Sequence, residues 1–306
     1  RGKGIRRRVE GTKLVPKNWT DFLRDDSNKR ELFKYLANLI LVGEYKAKII
    51  VTYGQNVLCT SEANLSHLMP CSQEEADTRM LLHTADGVAK GCKRIIIRSV
   101  DTDIVVIATA LLHHLHGCDK LWVALGLGKT FRFIDISAIS EALGSEKCEG
   151  LLAFHSLTGC DTTSCFKGNG KRTAWTTWKN LPSMDKAFKV LSDSPTPEEA
   201  LDVLPLIERF VVVLYERCSE EEEVDKARKV LFIKGRDIEN IPPTRDALQF
   251  HVLRAAFQSG HVWRKSLLKN PELPDPTNFG WKKLETGLIV RNVTEKFSCL
   301  QKFQII

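Results

Sequence analysis

Hydrophobic positions along the first two thirds of the chain follow two alternating patterns. Short continuous apolar runs, typical of buried strands, end at glycine or at polar residues. Longer runs with apolar residues three or four apart are typical of helices. The runs that predict strands are AKIIVTY (47–53), KRIIIRSV (93–100), KLWVAL (120–125) and TFRFID (130–135). The segments that predict helices between and around them are 25–40, 72–91, 103–115 and 136–144.

Strands that alternate with helices favour parallel pairing, and therefore an α/β fold with a Rossmann-like sheet flanked by helices. From Pro182 onward helical patterns dominate, interrupted by proline-rich and acidic segments. We therefore expect three parts: a basic arm with one helix (1–45), an α/β core (46–181) and a mostly helical C-terminal region (182–306).

Composition narrows the class of protein. The 306 residues are 43% hydrophobic, which is enough for a sizeable core, and no apolar run is long enough to cross a bilayer. The nine cysteines form no Cys-x-x-Cys pair, and their number is odd. This usage favours reduced thiols in an intracellular protein over a disulfide framework.

The net charge of +7 is concentrated at the start of the chain, where residues 1–17 hold seven basic residues and one acidic residue. A basic arm next to a nearly neutral body favours a polyanionic partner. The alternative is an ordinary solubilising terminus. Because the sequence begins without methionine inside a basic run, we also expect a fragment of a longer protein.

An aspartate pair follows the strand predicted at 93–100. If the backbone stays extended, Asp101 and Asp103 point to one side, at the strand end where open α/β sheets bind ligands. Adjacent carboxylates repel each other unless a cation lies between them, which predicts a Mg²⁺ or Mn²⁺ site. The alternative is a turn in which one of the two aspartates caps the next helix.

More acidic residues begin the helix predicted at 72–91. Ser72 and Glu75 have the spacing of a capping box, and Glu74, Glu75 and Asp77 lie in the first turn. The helix macrodipole favours acidic residues at this position, so their presence alone does not indicate a site.

A further carboxylate, Asp161, stands shortly before the glycine-rich loop KGNGKR (167–172). Gly168 and Gly170 would let backbone N–H groups approach a phosphate, and the helix opened by Lys171 and Arg172 would present its positive end. Such a loop would hold nucleic-acid backbone without reading bases. The alternative is a simple turn between two helices.

In their order along the chain, these motifs resemble those of the flap endonuclease/XPG-type family of PIN-like nucleases. The matching segments are EEAD (74–77) for its Glu-Ala-Glu cluster, SVDTD (99–103) for its Asp-x-Asp, LTGCD (157–161) for its Gly-Ser-Asp, and KGNGKRTA (167–174) for its helix-hairpin-helix turn. The resemblance covers residues 64–178, with the hairpin motif at 154–180. The whole chain also resembles a group of invertebrate proteins with EEADTRM and FHALTGCDT-like motifs.

The resemblance implies a PIN-like sheet, a helix-hairpin-helix element and a structure-selective endo- or exonuclease that hydrolyses DNA with two Mg²⁺ or Mn²⁺ ions. The implied metal ligands are Glu75, Asp77, Asp101, Asp103 and Asp161, of which the last three are also the implied catalytic residues. The implied nucleic-acid contacts are Gly168, Gly170, Lys171 and Arg172 in the hairpin and Arg6, Arg7 and Arg8 in the arm. Branched or duplex DNA would be the partner, and we expect an intracellular, nuclear protein.

Two further metal-binding aspartates of that family have no counterpart in the chain. Two other functions also stay open. A catalytically inactive relative would bind DNA as a scaffold. A haloacid-dehalogenase-like phosphatase would use Asp101 as the nucleophile and Asp103 as the general acid.

Overall fold

The computed structural model describes residues 4–284 and 287–290 and divides the chain into two compact units. The first unit comprises residues 1–73 and the second comprises residues 74–306. Residues 1–3, 285–286 and 291–306 lie outside the described residues, and so do the parts of the predicted basic arm and C-terminal region that fall on them.

The first unit contains two helices and a β-hairpin: α1 (Trp19–Leu23), α2 (Asp26–Val42), β1 (Ile50–Tyr53) and β2 (Asn56–Cys59). The hairpin is antiparallel and turns tightly at Gly54, whose φ of +56° is readily adopted by glycine. The prediction that the strand at 47–53 belongs to a parallel sheet is therefore wrong. A strand that returns through so tight a turn pairs antiparallel with its own continuation.

The second unit is built around a three-stranded sheet of order β3-β4-β5, with strands β3 (Arg94–Ser99), β4 (Lys120–Leu125) and β5 (Arg132–Asp135). As predicted, β3 and β4 are parallel, from Arg94 opposite Lys120 to Ser99 opposite Leu125. The strand β5 is antiparallel to β4, which corrects the prediction of an all-parallel sheet. Residues 126–131 are too few for the crossover that a parallel strand would need.

Three helices cover one face of this sheet: α3 (Ala76–Ala89), α4 (Asp103–Leu111) and α5 (Ile136–Leu157). The covered face and the helices share a core in which Leu121 and Val123 are fully buried with Ile104 of α4. The opposite face carries Ile96 and Phe133, each 60% exposed. The fold is therefore mixed α/β, with helices packed on one side of a small mixed sheet.

Helices dominate the rest of the second unit, as the pattern after Pro182 predicts. They are α6 (Lys171–Lys179), α7 (Ser183–Ser192), α8 (Pro197–Asp202), α9 (Leu204–Tyr215), α10 (Val224–Ile233) and α11 (Arg245–Ala256), followed by a π-helical segment (Phe257–Trp263). Short 3₁₀ turns lie at Leu112–His114, Gly128–Thr130, Ile238–Asn240 and Pro276–Phe279, and a final hairpin is formed by β6 (Trp281–Leu284) and β7 (Gly287–Val290).

An aromatic core fixes the ends of the loop that carries Asp161. Trp178 of α6 and Phe188 of α7 are fully buried, with ring centroids 4.8 Å apart. Both pack against Phe154 of α5. Since α5 and α6 are held by the same core, the segment between them is anchored at both ends.

Candidate functional site

The structure brings the carboxylates that the sequence singles out into one cleft of about 200 Å³ in the second unit. Three separate segments supply them: the start of α3, the connection between β3 and α4, and the loop after α5. The carboxylates are Glu75, Asp77, Asp101, Asp103 and Asp161, and the cleft is also lined by Gln258 and Trp263. The cleft lies beyond the carboxyl end of β3, where open α/β sheets bind ligands.

Glu75 accepts hydrogen bonds from two residues of the π-helical segment. The predicted capping box of Ser72 and Glu75 is wrong, because α3 begins at Ala76 and Glu75 stands at the cap position without a side-chain capping bond. Its carboxylate instead accepts hydrogen bonds from Gln258 Nε2 at 3.1 Å and from Trp263 Nε1 at 3.1 Å. One donor on each oxygen fixes the orientation of this carboxylate.

Asp101 closes the turn that leads from β3 into α4. Its Oδ1 accepts a hydrogen bond from the backbone N–H of Asp103 at 3.0 Å, and its own N–H donates to Ser99 Oγ at 3.0 Å. Thr102 is the residue at the cap position of α4, without a side-chain capping bond. A turn therefore forms, closed by the side chain of Asp101, but neither aspartate occupies the cap position of α4 as the alternative expected.

Asp103 is paired with a buried histidine of α5. Its Oδ1 accepts a hydrogen bond from His155 Nε2 at 2.9 Å, and His155 is only 6% exposed. This hydrogen bond is the main reason that the pKa of Asp103 lies below its ordinary value of 3.8. Asp103 therefore keeps its negative charge.

Asp77 has the opposite shift. Its partial burial, together with the charges of the four other cleft carboxylates, raises its pKa from 3.8 to about 6. Burial is the largest cause, followed by the charge of Asp101. The four other carboxylates, which come from all three segments, thus add to the effect of burial on this pKa.

Asp161 lies exposed in a tightly folded loop. Cys160 and Thr163 exchange backbone hydrogen bonds of 3.2 and 3.3 Å, and Thr163 Oγ1 donates to the carbonyl of Ser156 at 2.5 Å. Gly159 has a φ of +110°, and a Cβ atom there would come within 2.7 Å of Cys165 Cβ. The loop therefore requires glycine at this position to present Asp161 to the cleft.

The predicted phosphate-binding hairpin precedes α6, with a φ of +77° at Gly168 and open space around Gly168 and Gly170. Arg172 is exposed, but Lys171 is engaged inside the unit. Lys171 Nζ donates to the carbonyls of His155 and Gly159 at 2.8 and 2.6 Å, and to Thr158 Oγ1 at 3.0 Å.

These three bonds use every N–H group of the Lys171 ammonium, which has three donors. Burial also lowers its pKa from 10.5 to about 8. Lys171 thus satisfies carbonyl groups at the end of α5, as cations do at helix C-termini. Its contact with a phosphate stays a prediction, and such a contact would have to displace one of these bonds.

The three arginines of the arm lie in the first unit. Arg6 forms an ion pair with Glu31 at 2.8 Å, and Arg8 forms one with Glu10 at 3.1 Å. The backbone N–H of Arg7 donates to Asn28 Oδ1 at 2.8 Å. The predicted contact of this arm with a polyanion stays a prediction.

The donor set of the cleft fits a hard divalent cation. All five acidic side chains offer carboxylate oxygens, the ligands that Mg²⁺ and Mn²⁺ prefer, and burial together with the four neighbouring charges raises the pKa of Asp77. Within residues 4–284 and 287–290, no three His, Cys, Asp or Glu side chains have the spacing of a ready-made ion site. Like charges lower their repulsion by turning apart, so ligation would require the side chains to converge.

Three residues of this site were not singled out by sequence reasoning. His155 lies in an apolar stretch of α5, where a packed helix residue is the simplest expectation, and Gln258 and Trp263 carry no sequence signal. His155, which donates to Asp103, and Trp263, which donates to Glu75, are in contact, with ring centroids 5.6 Å apart. Each ring therefore helps to hold the other in place. The only sequence signal for His155 was a polar residue within the apolar run LLAFHSL (151–157).

No protein-family model matches the chain, and neither the curated proteins nor the solved structures contain a significant match to it. Across the described part of the chain, none of the helices combines the length and apolar character needed to span a membrane.

Proposed function

We propose that the second unit is a metal-dependent, structure-selective nuclease that hydrolyses DNA phosphodiester bonds. The observation that carries this proposal is the gathering of five carboxylates in one cleft, where burial and then the neighbouring charges raise the pKa of Asp77 to about 6. A cluster of this kind is costly without a cation, so its presence favours a metal centre. A PIN-like arrangement, a helix-hairpin-helix element formed by α5 and α6, and a nuclear location belong to the same proposal.

The proposed ligands of two Mg²⁺ or Mn²⁺ ions are Glu75, Asp77, Asp101, Asp103 and Asp161. When bound, the ions would activate water for in-line attack and stabilise the leaving oxygen. The chain's own contribution is orientation. Gln258 and Trp263 hold Glu75, and His155 holds Asp103, so two ligands are fixed before an ion arrives.

The phosphatase alternative needs Asp103 as a general acid, and therefore protonated at the start of the reaction. The hydrogen bond from His155 instead keeps the pKa of Asp103 below 3.8, which disfavours this role. The alternative of an inactive DNA-binding scaffold differs from the proposal only in turnover, so an activity assay separates them.

The test compares the unmodified chain with Asp101→Asn on end-labelled branched, duplex and single-stranded DNA, with Mn²⁺, Mg²⁺ or EDTA. Asparagine keeps the size of Asp101 but removes its charge, so we expect cleavage to fall by roughly 100-fold or more. The control is Asp119→Asn, which neutralises an exposed aspartate outside the cleft and should leave cleavage unchanged.

Equal cleavage by the unmodified chain and Asp101→Asn would rule out the assigned site. Binding of DNA without metal-dependent cleavage by the unmodified chain would favour the scaffold. Release of phosphate from small phosphate esters, without any requirement for DNA, would favour the phosphatase.

A further inference from the structure

The sheet of the second unit has one face that the helices do not cover. Residues opposite each other on paired strands share a face, and Ile96 lies opposite Trp122, while Arg98 and Phe133 both lie opposite Ala124. We call this surface the open sheet face. It is formed by Arg94, Ile96 and Arg98 of β3, Lys120, Trp122 and Ala124 of β4, and Phe133 and Asp135 of β5.

Large apolar side chains are exposed on the open sheet face. Ile96 and Phe133 are each 60% exposed, and the neighbouring Phe131 is 43% exposed. The rings of Phe131 and Phe133 contact each other edge to face, with centroids 5.2 Å apart. Grouped aromatic exposure on a sheet is unfavourable in water and indicates a surface that binds a partner.

Three of the four charged residues of the same face are basic. The ammonium of Lys120 lies 3.8 Å from the carboxylate of Asp135, which lies opposite Trp122 and is the acidic residue of this face. Arg94 is exposed, and among the described residues neither Arg94 nor Arg98 forms an ion pair. Two of the three cations on the face are therefore not neutralised by a carboxylate.

Arg98 is held rigidly and still has donors to offer. Its Nη1 donates to the carbonyls of Ser99 and Ala124, and its Nη2 donates to the carbonyl of Gly126. The guanidinium also lies over the ring of Phe131, at 5.1 Å from the centroid. Because a guanidinium has five N–H donors, Nε–H and one N–H of Nη2 remain for an anion.

From this combination we propose that the open sheet face binds single-stranded nucleic acid. Unpaired bases would stack on Phe133 and Phe131, while Arg94 and Arg98 contact the phosphates. Exposed aromatic residues on a flat sheet can stack with the bases of a single strand, because these bases are unpaired and accessible. In a duplex the faces of the bases are covered by the neighbouring base pairs. The unneutralised arginines favour a polyanion over an apolar protein segment. Three short strands offer room for two or three bases.

This binding surface goes beyond the proposed nuclease, because binding to it requires neither metal nor cleavage. The test is therefore done in EDTA, which removes divalent metal ions. Oligonucleotide binding under these conditions does not depend on the proposed nuclease activity, so each proposal can fail without the other. Fluorescence anisotropy would measure the affinity of the full chain for labelled oligo(dT), oligo(U) and a blunt DNA duplex of equal length, at low and moderate salt.

Substitutions at two positions of the face and two matched controls decide the outcome. We expect Phe133→Ala, and also Phe133→Leu, to weaken oligonucleotide binding roughly tenfold, because both remove the stacking ring. Phe232→Ala removes an equally exposed phenylalanine from α10 and should change nothing. Arg94→Ala should weaken binding and lower its salt dependence more than Arg217→Ala, which removes an exposed arginine elsewhere.

Three results would overturn the proposal: no oligonucleotide binding at low salt, equal effects of Phe133→Ala and Phe232→Ala on single-strand binding, or equal weakening of single-strand and duplex binding by Phe133→Ala. Sedimentation velocity adds a fourth. If the chain self-associates and Phe133→Ala abolishes that association without oligonucleotide binding by the parent, the open sheet face is a protein interface. Circular dichroism of each variant checks that it is folded.

Discussion

At the residue scale, the carboxylates of the cleft differ in how their charge is stabilised. Asp103 accepts a hydrogen bond from His155, which lowers its pKa, and Glu75 accepts bonds from two neutral donors. Asp77 is half-buried among the other carboxylates, and its pKa is about 6. Asp77 therefore reports whether the negative charge of the cleft is compensated.

The raised pKa of Asp77 gives a prediction about stability and pH in EDTA. The folded chain binds the carboxyl proton of Asp77 more tightly than the unfolded chain does. The contribution of this proton to the free energy of unfolding is therefore fully present below pH 3.8 and is lost as pH rises through about 6. Asp77→Asn carries no titrating group. At pH 7 we expect it to be more stable than the parent by roughly 1 kcal/mol, allowing for solvent screening of a half-exposed carboxyl.

Urea unfolding of both proteins between about pH 4 and pH 7 measures this difference. Because other carboxylates titrate in the same range, the informative quantity is the free energy of unfolding of the variant minus that of the parent at each pH. A difference that does not grow with pH would show that Asp77 is not repelled by its neighbours.

At the element scale, hydrophobic spacing predicted most helices and strands, and the alternation of strands and helices predicted the parallel pairing of β3 with β4 but not the other strand pairings. The strand β5 is antiparallel because its connection to β4 is short, and β1 pairs with β2 in a separate hairpin. Lys171 shows a similar limit. A lysine at the start of α6 suggests anion binding, yet it satisfies the carbonyl end of α5, a partner that only the packing of the two helices supplies.

This role of Lys171 predicts a loss of stability on substitution. Lys171→Met keeps much of the aliphatic stem but leaves the carbonyls of His155 and Gly159 without their donor. We expect the free energy of unfolding to fall by about 1–3 kcal/mol. Arg172→Ala changes the exposed neighbour and should stay within about 0.5 kcal/mol of the parent.

Chemical denaturation of both variants provides the measurement, and DNA-binding assays add a second readout. If Lys171→Met is as stable as the parent but binds DNA more weakly at every sequence, the residue contacts phosphate and the hydrogen bonds to α5 are dispensable.

At the scale of the whole molecule, the cleft unites segments that are far apart in the chain, from Glu75 to Trp263. An unfolded chain cannot hold these carboxylates together, so an ion that needs several of them binds only the folded state. Metal binding should therefore stabilise the fold by mass action.

We expect Mn²⁺ to raise the thermal unfolding temperature in a concentration-dependent way, equivalent to about 2.7 kcal/mol at 100 times its dissociation constant. Differential scanning calorimetry measures the effect without reference to any enzymatic activity. Asp101→Asn should lose most of the increase, whereas Asp119→Asn should retain it. An increase of the same size in both variants would place the ion outside the cleft.

The sequence by itself determined the apolar periodicity, the residue types of the cleft carboxylates and the glycines of its loops. These are properties of single residues or of residues a few positions apart. Only the tertiary structure decided that β5 runs antiparallel, that Lys171 serves α5, and that Gln258 and Trp263 orient Glu75. The same holds for the one-sided covering of the sheet, which leaves Phe133 exposed. These features depend on contacts between residues up to 188 positions apart, and local spacing carries no information about them.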